Sequence, residues 1–119
     1  MLAKKNRLNL SQESSRNLWK VGRHFRGQGF NAVYDYEDQE VKMAITIPKQ
    51  VAPQAAKRNE LRRKIYSLLE GLINLEPGLR LIIKVSDKRL GELTSEQLRE
   101  IFQPLIAEIK SGKPWSPKL

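Results

Sequence analysis

Residues 41–74 read VKMAITIPKQVAPQAAKRNELRRKIYSLLEGLIN, and within them the spacing of the apolar residues changes once. Val41, Met43, Ile45 and Ile47 alternate with Lys42, Ala44 and Thr46, the two-residue repeat of a strand that buries one face. Pro48 and Pro53 bracket a loop, because proline has no amide proton to give a sheet ladder. From about Ala55 to Asn74 the repeat lengthens. Leu61, Ile65, Leu68, Leu69, Leu72 and Ile73 fall at i, i+4, i+7 and i+8 spacing, one face of an amphipathic helix. Pro77-Gly78 breaks that helix, and Leu79 to Val85 follows as a buried strand. A strand, a crossover helix and a returning strand make a mixed α/β arrangement.

Outward from this unit the pattern extends in both directions. Phe30, Ala32, Tyr34 and Tyr36 alternate with Asn31, Val33 and Asp35, so residues 28–47 are expected to form an antiparallel hairpin turning at Asp35-Tyr36-Glu37-Asp38. A first helix is expected from about Ser11 to Val21, with Ser11 as N-cap and Gly22 as its stop. Leu18 and Trp19 are its bulky apolar residues. Toward the C-terminus, Thr94-Ser95-Glu96-Gln97 is a capping box, and it opens a helix with Leu98, Ile101, Phe102, Leu105, Ile106 and Ile109 on one side. Pro104 is placed to kink that helix. The expected order is α-β-β-α-β-α, an α+β two-layer sandwich in a single domain spanning residues 1–119. Residues 1–10 are expected to form a basic arm and residues 112–119 a flexible tail.

The chain has 119 residues and a formal net charge of +9. That charge is concentrated. Residues 1–27 carry seven Lys/Arg against Glu13 alone, residues 48–64 carry six against Glu60 alone, and the remainder is net −2. A local basic field of this kind suits a polyphosphate partner. The absence of cysteine excludes disulfides, thiol nucleophiles and thiolate metal sites, and the single His24 cannot form a histidine cluster. No apolar run approaches membrane-spanning length, and the basic opening residues are not followed by the apolar stretch of a signal peptide. A cytoplasmic protein with no membrane partner is expected.

The central helix concentrates the most specific chemistry. Asn59, Arg62, Arg63 and Tyr66 share a flank beside its apolar face, while Lys57 and Arg58 stand at its start, after the proline-bounded loop. Arginine can grip phosphate with two hydrogen bonds, and asparagine can bond phosphate or sugar. A solvated helix face would show the same residues. The acidic cluster Asp35, Glu37, Asp38 and Glu40 could in principle hold a metal, although its position in a turn equally suits a solvated loop.

The run Ala44-Ile45-Thr46-Ile47-Pro48-Lys49-Gln50-Val51, followed by Ala55-Ala56-Lys57-Arg58-Asn59-Glu60-Leu61-Arg62-Arg63, resembles the protein subunit of bacterial ribonuclease P. That family has a strand ending in a Lys-Lys loop, then a helix opening Arg-Asn-Arg-Ile-Lys-Arg. Lys4-Lys5-Asn6-Arg7-Leu8, Gly22-Arg23-His24-Phe25-Arg26-Gly27 and Leu90-Gly91-Glu92-Leu93-Thr94 resemble its other landmarks, in order, over nearly the whole chain. There are departures. Glu60 and Tyr66 stand where the family has arginine, Gln50 replaces the second lysine, Ser15 falls near the usual first-helix phenylalanine, and Val33 near a frequent strand aromatic.

The resemblance implies a left-handed βαβ crossover. It also implies that an RNA subunit performs hydrolysis with Mg²⁺ bound mainly by that RNA, and that the protein binds both this RNA and the 5′ leader of precursor tRNA. RNA contacts are then expected from Lys4, Lys5, Arg7, Arg16, Lys20, Arg23, Arg26, Lys49, Lys57, Arg58, Asn59, Arg62 and Arg63. Ser15, Trp19, Phe30 and Val33 would line the leader cleft, and no residue of the protein would be catalytic. Two alternatives remain at this point: a small ribosomal-type RNA-binding protein, and a stand-alone metal-dependent nuclease acting through the hairpin acids.

Overall fold

The structure is a computed structural model and describes residues 13–36, 42–70 and 78–112. Its elements are helix α1 (Glu13–Val21), strands β1 (Arg23–Arg26), β2 (Phe30–Tyr36) and β3 (Lys42–Thr46), helix α2 (Ala55–Leu69), strand β4 (Leu79–Val85), a 3-10 helix (Lys88–Glu92) and helix α3 (Ser95–Gly112). The four strands form one sheet in the order β1-β2-β4-β3. β1 and β2 are antiparallel, as are β2 and β4, whereas β3 runs parallel to β4 and reaches it through α2. The α+β class and the βαβ unit are as expected.

The expected hairpin of residues 28–47 is corrected. β2 and β3 are not neighbours, because β4 lies hydrogen-bonded between them. The physical reason lies in β4 itself, whose Leu79, Leu81, Ile83 and Val85 face one side and whose Ile82 faces the other, all of them buried. A strand with one unbroken apolar face, and with Arg80 and Ile82 buried on the other, is most stable in the interior of a sheet. Period-two alternation in β2 and β3 specifies which face each buries but not which strand each pairs with. The true antiparallel hairpin joins β1 to β2 through Gly27-Gln28-Gly29. β1 is not announced by the sequence because Arg-His-Phe-Arg is short and has a single apolar residue. Gly29 takes φ +85°, and its carbonyl accepts from the amides of Ser86 (2.9 Å) and Asp87 (3.1 Å), which ties the turn to the end of β4.

The main core lies on one face of the sheet, where Leu61, Ile65 and Leu69 of α2 and Leu98, Phe102, Leu105, Ile106 and Ile109 of α3 meet the side chains of β2, β3 and β4. Phe30 stacks on Phe102 with ring centroids 4.2 Å apart. The capping box at the start of α3 is present in both directions: the Thr94 amide donates to Gln97 Oε1 at 2.9 Å, and the Gln97 amide to Thr94 Oγ1 at 3.2 Å. Pro104 sits inside α3, which continues past it as one helix. At its far end α3 is clasped to the sheet, since Tyr34 donates its hydroxyl to Glu108 Oε2 (2.8 Å) and Tyr36 to the carbonyl of Ile109 (2.7 Å). Burial, then the hydrogen bond and charge of Glu108, push the Tyr34 hydroxyl to ionise well above its ordinary range.

The opposite face carries α1. Leu18 packs on Val33 and Ile82 in a small second core, with half-buried Trp19 against it. Gly22 stops the helix where the chain must come close to the sheet; a Cβ there would stand 2.7 Å from Val33 and 2.6 Å from Leu18. Gly22→Ala is therefore expected to lower stability by about 1–3 kcal/mol through overpacking, read as a lower urea midpoint with unchanged slope. A second expectation concerns Asp87, which accepts from the Arg89 side chain and amide ahead of the 3-10 helix. These bonds hold its carboxyl down to about 2, against 3.8 ordinarily. Its contribution is thus complete above the ordinary value and lost as pH falls through the lower one. A carbon-detected NMR titration of Asp87 is expected to show its midpoint near that lower value.

Candidate nucleic-acid interface

Strand register sorts the face beneath α1 into three rows. Arg26, Asn31, Lys84 and Thr46 align across the four strands at one end. His24, Val33, Ile82 and Ala44 form the middle row, which Leu18 covers. Asp35, Arg80 and Lys42 form the third. The rows differ in chemistry. In the first, Arg26, Asn31 and Lys84 are exposed. Arg26 and Lys84 lie two strands apart, about 10 Å at ordinary strand spacing. In the third, Arg80 and Asp35 are buried and joined by two hydrogen bonds, Nε to Oδ1 at 2.8 Å and Nη2 to Oδ2 at 2.6 Å. That bidentate pair cancels the arginine's charge. The exposed cations of these rows are therefore Arg26 and Lys84 of the first, with Arg80 paired and Lys42 half-buried in the third.

The first row lies at the end where β3 and β4 finish, and the 47–54 loop departs from there to begin α2. Exposed Lys49, Lys57, Asn59 and Arg63, with half-buried Arg58 and Arg62, thus join Arg26 and Lys84 at one end of the molecule. This combines basic segments far apart in sequence into a single field. Two of the helix arginines also serve the fold. Arg58 Nη1 donates to the carbonyls of Ala52 (2.9 Å) and Pro53 (3.0 Å), holding the loop against the helix start. Arg62 donates to Asn59 Oδ1 (2.8 Å) and to the Ile45 carbonyl of β3 (3.4 Å). Lys57 and Arg63 are free of such ties among the described residues.

The other expected contacts divide. Lys20 is exposed on α1, and Arg23 is exposed on β1 but 3.8 Å from Glu108 on the core side. Ser15 and Arg16 fall within α1, while Lys4, Lys5 and Arg7 lie outside the described residues. Trp19 is placed beside the open face. Its carbonyl accepts from His24 Nε2 at 2.8 Å, and the two rings lie 5.9 Å apart. Two of the expected cleft residues are corrected. Phe30 points into the main core on the other side of the sheet, and Val33 is completely covered by α1. Alternation puts Phe30 and Val33 on opposite faces, so they could not have lined one cleft. The residues missed by sequence reasoning are Asn31, Thr46 and Lys84, whose common row requires the strand order. The available signal was the Arg80 and Lys84 spacing within β4, which marks its polar side.

Among the described residues no group of three or more His, Asp or Glu side chains converges as a metal site, and no helix is long and apolar enough to cross a membrane. Asp35, one of the acids of the nuclease alternative, is engaged by Arg80; Glu37, Asp38 and Glu40 lie outside the described residues.

A small α+β protein with one cation-rich end and an aromatic beside its open sheet face has the features that suit an RNA partner. The sequence profile of the family described as Ribonuclease P matches residues 2–110, and the chain belongs to that family, whose members are the RNA-binding protein subunit of the enzyme that matures the 5′ end of tRNA. Solved structures agree on the fold. The RNase P protein of Staphylococcus aureus superposes with a TM-score of 0.75 at 14% identity, over 88% of this chain and 95% of that one. The RNase P protein from Thermotoga maritima gives 0.70 at 17% identity, over 88% and 96%. No curated protein sequence matches the chain.

The geometry separates two neighbouring arginines. Arg58→Ala is expected to cost about 1.5–3 kcal/mol of stability, because it removes charged donors from two loop carbonyls. Arg63→Ala is expected to change stability by no more than about 0.5 kcal/mol. Chemical denaturation of both variants checks this, and equal losses would place Arg63 in an undetected structural contact.

Proposed function

We propose that the cation-rich end grips the RNase P RNA while the open face beside Trp19 receives the single-stranded 5′ leader of precursor tRNA. The observation that carries this reading is the placement of Lys49, Lys57 and Arg63, on the loop and helix that leave the end of β3, with Arg26 and Lys84 of the first row, and of half-buried Trp19 beside β1. Lysine and arginine neutralise phosphates at the first site. Stacking on Trp19, with Asn31 and Thr46 as hydrogen-bonding partners, holds unpaired nucleotides at the second. In this division of labour the RNA performs hydrolysis and carries the Mg²⁺, and the protein supplies affinity and position. A bacterial cytoplasm, where precursor tRNA is made, is the corresponding compartment.

Precursor-tRNA cleavage tests it. The wild-type protein is expected to stimulate cleavage by the RNA subunit at physiological salt and to cleave nothing alone. Lys57→Ala/Arg63→Ala is expected to require a higher protein concentration for the same rate. Each lost charge-assisted contact weakens RNA binding by roughly 1.5–3 kcal/mol, about ten- to a hundred-fold. Identical titration curves for the two proteins would remove this face of α2 from the interface. Cleavage by the protein without RNA would overturn the division of labour.

A further inference from the structure

Past the first row, the same end of the sheet continues into a groove of about 560 Å³ between the β1–β2 turn, the 3-10 helix and the start of α3. This volume is within the range of small-ligand sites. Its floor is apolar, formed by Leu90, Leu93 and Ile101, and Gln28 and Glu100 stand on its rim. α3 begins well before Phe102, the residue that meets Phe30 at the sheet's end, so its first two turns overhang the sheet and wall the groove. Gln28 is two residues beyond Arg26, and Asp87 three beyond Lys84. The groove is thus close along the chain to the exposed cations of the first row, with Lys88 adding one more, while Arg89 is ion-paired to Asp87.

The polar groups on its walls are specific in kind. Arg89 donates from Nε and Nη2 to both carboxylate oxygens of Asp87 at 2.7–3.1 Å, which pins the plane of a guanidinium that is otherwise 80% exposed. A fixed guanidinium plane is a stacking surface for a base. Gln97 has its side-chain oxygen taken by the Thr94 amide, so it faces a ligand as a donor. Glu100 has no hydrogen-bond or ion-pair partner among the described residues and presents two acceptors.

We propose that this groove takes one unpaired guanine of a bound RNA, with Glu100 accepting from its Watson–Crick edge over the Leu90, Leu93 and Ile101 floor. Guanine sets two donors, N1–H and the N2 amine, side by side, and a carboxylate matches both. Adenine and cytosine offer a donor next to a lone pair, which a carboxylate repels, and uracil has a single donor flanked by carbonyls. The Gln97 amide and the nearby cations favour the guanine O6. This site deepens the RNA-subunit reading and rests on it. The guanine could belong to the leader or to the RNase P RNA, and the test distinguishes them.

Kethoxal modifies the N1 and N2 positions of unpaired guanines and so reports on the edge at issue. The full-length protein, its Glu100→Gln variant and no protein are compared on the RNase P RNA with bound precursor tRNA, with complex formation checked by mobility shift. Glu100 is exposed on a well-capped helix, so the variant keeps the fold. The expected result is one guanine protected by the wild type and reactive again with Glu100→Gln; its location in the leader or in the RNase P RNA identifies the source. Removing a negative charge near RNA strengthens general attraction, so a loss of protection runs opposite to the plain electrostatic effect. Complexes that form with both proteins and give identical guanine reactivity would overturn the site while leaving the RNA-subunit reading intact. Failure of the wild-type protein to form any complex would overturn both.

Discussion

β4 hydrogen-bonds to β2 on one side and to β3 on the other, and every residue of it but Lys84 is buried. Every other element takes its place from that strand. One face needs the combined apolar stripes of α2 and α3, and α1 covers only the middle of the other. A single short helix with Leu18 and Trp19 as its bulky residues cannot close a four-stranded face, so the first row is left to solvent. The third row is held instead by the Asp35–Arg80 pair, formed directly across β2 and β4. Replacing water around a buried arginine takes a partner of matched geometry, and the cross-strand carboxylate provides it. The same strand thereby determines where the protein is closed and where it is open.

The charge distribution follows from this topology. A parallel β3 and β4 place both carboxyl ends together, and the loop to α2 starts there. Lys49 and the α2 residues come from one basic segment and Arg26 from the other, with Lys84 contributed by a segment that carries no overall excess. Arg58 and Arg62 also brace the loop and the edge of β3, which couples the shape of the basic end to the groups that make it basic. A pre-shaped cationic surface loses less conformational freedom on binding than loose side chains would.

Much of this was legible in the sequence. The strand–helix–strand unit, the capping box at Thr94, the apolar stripe of α3 and the stop at Gly22 each follow from local rules, and local rules are what a sequence displays directly. Partner choice is not local. Alternation in residues 30–36 and 42–46 was read correctly for faces but wrongly for pairing, and the four residues of β1 carry too few apolar positions to announce a strand. The site inherits this division. Lys49, Lys57 and Arg63 were visible as a basic segment, whereas the row formed by Arg26, Asn31, Lys84 and Thr46 exists once β4 is known to lie between its partners. Phe30 was placed in the cleft by the family resemblance, and parity along its strand sends it to the other face.

Arg62 touches one further matter, the behaviour of the protein before it meets RNA. β3 is an outer strand of the sheet, and an outer strand with unsatisfied carbonyls is a template on which a second chain can assemble. Arg62 occupies the Ile45 carbonyl from the helix above, and Lys42 flanks the same strand with a charge. A newly made chain with a large positive excess is already repelled by its copies. Occupying a carbonyl near the strand's end adds a geometric barrier to the electrostatic one, and the geometric barrier does not depend on charge screening. Pairing of a second chain through that carbonyl is thereby obstructed by geometry as well as by charge.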